Sequence, residues 1–228
     1  MAAPDLRISP KSVQQQIVQK LRGAIVEGFF KPGDRLIEAN LCEMMGVSRP
    51  SIREALRSLE AERLVCIIPN RGPQIPVLSR DHAAEIYKVR ALLEGEAAFI
   101  AAKRASPDDL KLMRTALAAF GKAVRANDMQ TEVSATSEFY SHILRVCGNR
   151  IMEETLTGLL ARVNFLRAHS MSRPGRAKVS LQEMKAIYEA IAGNNGNAAR
   201  SAAVKHVENA HLSANEAYES FSAEESAA

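Results

Sequence analysis

The sequence predicts a mainly α-helical protein of two domains. Apolar residues recur at helical spacing along most of the chain, whereas β-type residues are concentrated between residues 64 and 78. A chain of 228 residues is also long enough for two cores of ordinary size. We therefore expect a small domain of three helices and a hairpin at residues 9–79, followed by an all-α antiparallel bundle of six helices at residues 80–222.

Composition narrows the class of protein. A content of 46% hydrophobic and 25% charged residues is typical of a soluble globular protein. No uncharged apolar run reaches the roughly 18 residues that span a bilayer. The N-terminus lacks the basic start and apolar core of a secretory signal, which predicts a cytoplasmic protein. The three cysteines are widely scattered, which favours reduced, packed thiols over a disulfide or zinc framework.

The excess positive charge lies in the first third of the chain. Residues 1–79 hold 11 lysines and arginines against 8 acidic residues, whereas residues 80–228 hold 19 against 18. This imbalance is compatible with a polyanionic partner for the first domain, although many solvated surfaces are equally basic.

The first predicted helix has clear ends. A capping box at Ser12–Gln15 begins it, and Gly28 is placed to end it. Its apolar face recurs every four residues: Val13, Ile17, Leu21 and Ile25. Lys31–Asp34 then has the composition of a turn and leads into a short connector.

A helix-turn-helix pattern follows. The second helix, Glu38–Met45, is short and is broken by Gly46. One side of it carries apolar residues: Leu41, Met44 and Met45. Val47 is an apolar residue in the turn, and Ser48 is a suitable N-cap for a third helix that runs to about Ala61.

A β-hairpin is predicted after the third helix. Leu64–Ile68 is a β-type run, Pro69–Gly72 is a turn, and Gln74–Leu78 can return as the antiparallel strand. Pro76 restricts that strand to an edge. The hairpin would form a wing beside the helix-turn-helix.

Strand signals stop after Arg80, and six segments have helical patterns: 81–104, 107–126, 129–147, 149–170, 178–193 and 195–222. Ser106–Asp109 is a strong helix start, because a serine cap is followed by proline and by acids that oppose the helix macrodipole. Residues 171–178 form the one clearly irregular connection.

The third helix carries two stripes of opposite character. Basic residues recur every four positions on one face: Arg49, Arg53 and Arg57. Apolar residues form the other stripe: Ile52, Ala55, Leu56 and Leu59. A solvated amphipathic helix would explain this pattern, but the hydroxyls of Ser48 and Ser51 and a wing that bears Arg71 favour a helix that enters the major groove of DNA. Which arginine reads a base stays open.

Four short motifs mark the first domain: the "KPGD" turn, "VSR" at the start of the third helix, "REAL" within that helix, and "NRG" at the wing tip. Over about residues 11–79 they resemble the winged helix-turn-helix of the GntR family of bacterial transcription regulators. The resemblance implies that double-stranded operator DNA contacts the helix start and the wing: Ser48, Arg49, Pro50, Ser51, Arg53, Asn70, Arg71 and Gly72. The family commonly has Thr-Pro after "VSR", whereas this chain has Pro50 and Ser51, which leaves the operator preference open.

Three segments mark the second domain: residues 85–102, 138–149 and 186–207. They resemble the FCD effector-binding domain of the FadR subfamily, and six helices suggest its shorter, VanR-like form. Many such domains hold a divalent metal with one aspartate and three histidines, and the metal helps to bind a carboxylate effector. In this chain the four positions hold Thr136, Tyr140, Met184 and His206.

This residue set predicts no metal cofactor. One imidazole with a hydroxyl, a phenol and a thioether is a poor site for zinc or manganese, which need several histidine or carboxylate donors. His142 should point away from the site, and His169 and His211 are expected at the surface or in the core.

Without a metal, a carboxylate effector needs another positive partner. Arg90 is a candidate because arginine binds carboxylates bidentately, although it could instead pair with Glu94 one helical turn away. Arg162 and Arg167 are weaker candidates. Alternatively, Tyr140, Met184 and their neighbours line an apolar cavity for a hydrophobic effector. The predicted effector pocket therefore contains Arg90, Thr136, Tyr140, Met184 and His206.

The function that the sequence favours is a transcription regulator, a ligand-responsive repressor that acts as a homodimer on a pseudo-palindromic operator. An alternative is an effector-independent DNA-binding factor whose helical domain only dimerises. An enzyme is not expected, because we find no nucleophile elbow, phosphate loop, paired carboxylates or metal set.

Overall fold

The structure is a computed structural model. It describes residues 13–26, 28–171 and 173–227, with side chains for 13–26, 28–163, 170 and 173–216. The chain divides into two compact units, Met1–Val77 and Leu78–Ala228, called here the N-terminal unit and the helical unit. The predicted fold class is confirmed, because the described residues contain nine helices and one two-stranded hairpin. The predicted capping serine, Ser12, lies outside the described residues.

Three helices make the core of the N-terminal unit: α1 (Val13–Val26), α2 (Glu38–Met45) and α3 (Arg49–Ala61). Their buried side chains include Ile17, Leu21, Ile25, Leu41, Ile52, Leu56 and Leu59. Two residues predicted on apolar faces do not join this core, because Val13 is 62% exposed and Met44 is 61% exposed. Val18 is buried in α1 instead.

The wing differs from its prediction. Strand β1 (Cys66–Ile68) pairs with β2 (Gly72–Gln74), so the predicted return strand Gln74–Leu78 is wrong and the chain reverses earlier. The connector before α2 explains the difference, because its backbone bonds to the other edge of β2. The amide of Leu36 donates to the Pro73 carbonyl at 2.9 Å. An isolated bridge also joins Arg35 to Gln74.

The helical unit contains α4 (Arg80–Arg104), α5 (Pro107–Ala126), α6 (Met129–Cys147), α7 (Arg150–Met171), α8 (Arg176–Ala192) and α9 (Gly196–Ala227). Helix α4 contacts α6, α7, α8 and α9. The fully buried core includes Phe120, Phe139, Ile143, Leu156 and Ile187. Helix α8 begins two residues earlier than predicted, which brings Arg176 into its first turn.

Two further observations concern the described residues. Helices long and apolar enough to cross a membrane are absent from them. Cys42 and Cys66 are partly buried and Cys147 is buried, and all three are free thiols.

Candidate DNA-binding surface and buried pocket

The start of α3 is exposed and structurally defined. Ser48 has the extended backbone of an N-cap (φ −74°, ψ 154°), and Pro50 occupies the first turn, where its missing amide does no harm. The Ser48 hydroxyl caps no amide of the helix. It lies instead 3.0 Å from the Ser51 hydroxyl. The first-turn amides therefore lack a side-chain acceptor and suit an anionic oxygen.

The two stripes of α3 face opposite environments. The apolar residues Ile52, Ala55, Leu56 and Leu59 are at most 2% exposed. The basic residues Arg49, Arg53 and Arg57 are exposed. The guanidinium of Arg53 binds Glu38 of α2, with Nε 2.9 Å from Oε2 and 3.0 Å from Oε1. Sequence reasoning missed this partner.

The wing tip holds the other residues predicted to bind DNA. Asn70 and Gly72 both have positive φ, 63° and 82°, in the region that glycine and asparagine tolerate best. The amide of Arg71 donates to the Ile68 carbonyl at 3.0 Å, which closes the turn. The Arg71 side chain is exposed at the tip of the hairpin.

A small cavity lies inside the helical unit, with a volume of about 20 Å³. Its walls come from several helices: Tyr87, Arg90, Val133, Thr136, Ser170, Arg176, Ser180, His206 and Ala210. Three of the five predicted pocket residues, Arg90, Thr136 and His206, are among them. Tyr140 and Met184 belong to the adjoining core instead. The Tyr140 ring centroid is 5.9 Å from that of His206.

Arg90 forms an ion pair with Glu94, which the sequence allowed as the alternative to a ligand contact. Its Nε lies 2.8 Å from Glu94 Oε1, and both side chains are only 2% exposed. The Arg90 guanidinium also lies 4.8 Å from the centre of the Tyr87 ring. Burial opposes the charge, but Glu94 and the two nearby tyrosines keep the pKa of Arg90 above its usual value.

Glu183 of α8 is the centre of a second buried network. Both terminal nitrogens of Arg176 donate to it, at 3.1 and 2.9 Å. His206 Nδ1 lies 2.7 Å from Oε2, and Asn209 donates to Oε1 at 2.7 Å. Burial opposes ionisation of Glu183, but these hydrogen bonds lower its pKa to about 2. Burial lowers the pKa of His206 even though Glu183 favours its charged form.

Sequence reasoning missed this network for a simple reason. Arg176 and Glu183 are two helical turns apart and share a face of α8. The sequence predicts a helix that begins at residue 178, which leaves Arg176 in the irregular connection. It predicts Met184 in the pocket but carries no signal that its neighbour Glu183 is buried.

The other candidate residues lie elsewhere. Arg162 contacts His82, with Nη2 2.8 Å from Nε2. His142 contacts Arg145 and lies 3.7 Å from Glu138, as expected for a residue that points away from the pocket. His211 stacks on Tyr87 at 5.1 Å. The side chains of Arg167 and His169 are outside the described set. Within that set, we find no group of three histidine, cysteine, aspartate or glutamate residues that could hold a metal ion.

Comparison with known families assigns both units. The profile of the family described as "Bacterial regulatory proteins, gntR family" matches residues 13–75, and that of the FCD domain matches residues 85–209. The chain belongs to the GntR family and carries an FCD domain. This GntR protein is a DNA-binding transcription regulator.

Relatives support the assignment over most of the GntR protein. It is 31% identical to the galactonate operon transcriptional repressor of Escherichia coli, over 83% of this chain and 91% of that protein. It is 29% identical to the uncharacterised regulator YdhC of Bacillus subtilis, over 86% of this chain and 88% of YdhC.

Solved structures share the fold. Escherichia coli McbR/YncC superposes with a TM-score of 0.81 at 22% identity, over 92% of this chain and 99% of that one. A GntR regulator from Rhodococcus sp. RHA1 gives a TM-score of 0.78 at 25% identity, over 90% and 99%.

Proposed function

We propose that this GntR regulator is a ligand-responsive repressor that acts as a cytoplasmic homodimer on a pseudo-palindromic operator. The observation that carries the proposal is the exposed start of α3. A hydroxyl pair, uncapped amides and an arginine stripe face solvent there, while the opposite face of the helix is fully buried. The related E. coli protein is named as an operon repressor, which supports repression rather than activation.

The residues at this surface have complementary roles. Arg49 and Arg53 can donate two hydrogen bonds to a guanine edge in the major groove. The hydroxyls of Ser48 and Ser51 and the amides of the first turn suit phosphate oxygens, which fix the register of the helix. Arg71 at the wing tip is positioned for a backbone or groove contact outside the reach of α3.

A homodimer would present two copies of this surface. Two-fold symmetry places two recognition helices on half-sites about 34 Å apart, or closer if the wings crowd the centre. A ligand in the helical unit would change operator affinity only if it binds the DNA-bound and free states with different affinity. Operator DNA must then change ligand affinity by the same factor.

We propose that the helical unit works without a metal cofactor. The positions that hold metal ligands in related domains carry Thr136, Tyr140 and Met184, which do not fit zinc or manganese. The remaining histidine, His206, already binds Glu183 at 2.7 Å. Elemental analysis of purified protein tests this point: stoichiometric zinc, manganese or nickel that survives dialysis would refute it.

One observation favours the alternative in which the helical unit only dimerises. The cavity of about 20 Å³ holds little more than one water molecule, so a large apolar effector would need the core to open. A thermal melt of the full chain with candidate ligands separates the two functions, because an effector raises the midpoint in a concentration-dependent way.

Selection from randomised duplex DNA tests the proposed DNA recognition directly. Purified full-length protein should enrich an inverted repeat, and hydroxyl-radical footprinting of that repeat should show two symmetric protected half-sites. Enrichment of a single, asymmetric site would contradict the homodimer. A lack of enrichment would contradict sequence-specific repression.

A further inference from the structure

Helix α5 carries a stripe of basic residues on its solvent-facing side. Four exposed side chains form the stripe: Lys111, Arg114, Lys122 and Arg125. Their spacing places all four within about 80° of one another around the helix, along about 21 Å of its axis. The opposite side of α5 is buried in the core through Met113, Phe120 and Val124. The stripe is therefore held in place by packing and presented to solvent as a single surface, called here the α5 stripe.

The α5 stripe has no counter-charge within its own helix. Residues 110–126 contain its four basic residues and no acidic residue. Among the residues with described side chains, the ion pairs of the protein do not include any of the four. Solvated helices usually mix both signs of charge, and like charges one turn apart destabilise a helix. The stripe contains two such like-charged pairs, one at each end, which indicates an anionic partner that offsets the repulsion.

We infer that the α5 stripe binds phosphates of double-stranded DNA, as a second contact that does not depend on base sequence. The inference goes beyond operator recognition by α3, because it gives the helical unit a DNA contact of its own. DNA is the polyanion that a GntR regulator meets whenever it acts. A basic stripe on such a protein strengthens DNA binding through released counterions, without any contact to a base edge.

The dimensions and chemistry of the α5 stripe fit a phosphate strand. Phosphates of one strand recur about every 3.4 Å along the duplex axis, so about 21 Å of helix lies beside about six of them. The two arginines of the stripe can each donate two hydrogen bonds to one phosphate, and the two lysines add point charges. Phe120, the one aromatic residue of α5, is buried. The stripe thus lacks a ring on which unpaired bases could stack, which favours a duplex over a single strand.

An anionic membrane is the other polyanion that a basic helix can bind. Such helices insert an apolar face between lipids while basic residues on the other face meet the headgroups. In α5 the apolar face is part of the protein core, where Met113 and Phe120 are 0% exposed. Insertion would therefore require the helical unit to open, whereas binding to a duplex requires only the exposed charges. DNA is the partner that this arrangement favours.

Lysine acylation read by mass spectrometry tests the contact on the unchanged full chain. The DNA is the selected inverted repeat, extended on each side by about two helical turns of arbitrary sequence. We expect DNA to slow acylation of Lys111 and Lys122 by about threefold or more, because a bound ammonium group is shielded. Lys88 and Lys205 are the controls, since both are exposed on other helices and should react at an unchanged rate.

A charge-neutralised variant measures the contribution of the α5 stripe. All four residues are exchanged for glutamine: Lys111→Gln, Arg114→Gln, Lys122→Gln and Arg125→Gln. The matched control removes four exposed charges from other helices: Lys88→Gln, Lys103→Gln, Arg150→Gln and Lys205→Gln. Each phosphate contact contributes about 0.9 to the slope of log affinity against log salt concentration. On arbitrary duplex DNA, the stripe variant should lose about 3–4 of that slope per protomer and bind at least about tenfold more weakly at low salt, while the control stays near the parent.

Each outcome decides the inference. Equal acylation of Lys111 and Lys122 with and without DNA would overturn it, and so would equal salt slopes for the stripe variant and the control. Binding to phosphatidylglycerol vesicles that is lost in the stripe variant, with DNA binding unchanged, would also overturn it. Circular dichroism checks that both variants fold, and the acylation test needs neither of them.

The inference and the proposed repression fail separately. If the repeat is selected but the stripe variant and the control have equal slopes, recognition by α3 stands and the inference fails. If no repeat is selected but the stripe variant still loses slope on arbitrary DNA, the inference stands and sequence-specific repression fails. If the stripe variant loses slope but keeps the parent's preference for the repeat, both stand.

Discussion

Glu38 of α2 binds Arg53 of α3 through both carboxylate oxygens, with the nearer contact at 2.9 Å. The pair joins the two helices of the helix-turn-helix at the surface proposed to meet DNA. Because the Arg53 side chain is 62% exposed, the pair adds less than about 1 kcal/mol to stability. Its main effect is to orient and partly neutralise an arginine at the DNA-binding surface.

We predict that Arg53→Ala weakens operator binding by about 1–3 kcal/mol, which is the usual contribution of an arginine contact. Glu38→Gln should preserve or strengthen binding, because it releases the guanidinium and removes a negative charge near phosphate. Fluorescence anisotropy at fixed salt measures both, with the exposed Arg150→Ala as control. Weaker binding by Glu38→Gln than by Arg53→Ala would show that orientation by Glu38, rather than contact by Arg53, matters.

The wing tip depends on the backbone of Gly72. Its φ of 82° is costly for any residue with a Cβ, while a methyl group there would meet no atom within 4 Å. Gly72→Ala should therefore distort the hairpin tip and weaken operator binding about fivefold, as expected from roughly 1 kcal/mol of backbone strain. Gly23→Ala in α1 also adds a methyl group to open space, but without positive φ, and should leave binding unchanged. Equal affinity of the two variants would argue against a wing contact.

The close approach of α4 and α9 depends on Gly95. A Cβ at this position would lie 2.8 Å from Val204 Cγ2 and 3.3 Å from Arg200 Cγ. Gly95→Ala should lower the free energy of unfolding by about 1–3 kcal/mol through overpacking. Gly121→Ala is the matched control, because its nearest contact, Leu181, is at 3.6 Å, and it should be neutral or stabilising by up to about 1 kcal/mol. Urea unfolding followed by tyrosine emission compares them, and equal midpoints would contradict the packing described for Gly95.

Glu183 should make stability depend on pH in the acid range. Its pKa of about 2 lies below the ordinary 4.5, so its ionised form stabilises the fold above pH 4.5. That stabilisation is lost as pH falls from 4.5 towards 2. At pH 7, Glu183→Gln should cost about 2 kcal/mol, and the difference from the parent should shrink as the solution is acidified.

Urea midpoints at pH 7, 5 and 3.5 measure this difference. Glu154→Gln, which removes an exposed partner of Arg150, should have a small effect at every pH. If the difference in unfolding free energy between Glu183→Gln and the parent grew on acidification, its sign would be opposite to that expected. Glu183 would then not be a carboxylate that its neighbours hold ionised.

The sequence predicted the parts of this protein that depend on local signals. Ser106 and Asp109 form the capping box of α5, and the glycine turn at Gly46 separates α2 from α3 as expected. The two faces of α3 followed from spacing alone. Sequence could not predict that the connector near Leu36 pairs with β2, because that contact joins segments about 40 residues apart.

The pocket shows the same limit. The helical pattern of residues 81–104 predicts that Arg90 lies in α4, and the spacing of one helical turn allows its pairing with Glu94. The Glu183 network was not found, because it joins α8 to α9 through His206 and Asn209, 23 and 26 residues further along. Only the packing of these two helices determines which polar residues of one meet those of the other.

The central claim is that the start of α3 reads operator DNA, and Arg49 tests it most directly. Arg49 is exposed in the first turn of α3. Its truncation should therefore leave folding intact and weaken binding to the selected inverted repeat by about 1–3 kcal/mol, with relaxed preference at one base pair. Anisotropy titrations of Arg49→Ala and the control Arg150→Ala, each with circular dichroism to confirm folding, give the measurement. A folded Arg49→Ala variant that binds the repeat as tightly as the parent, with the same base preference, would contradict the account.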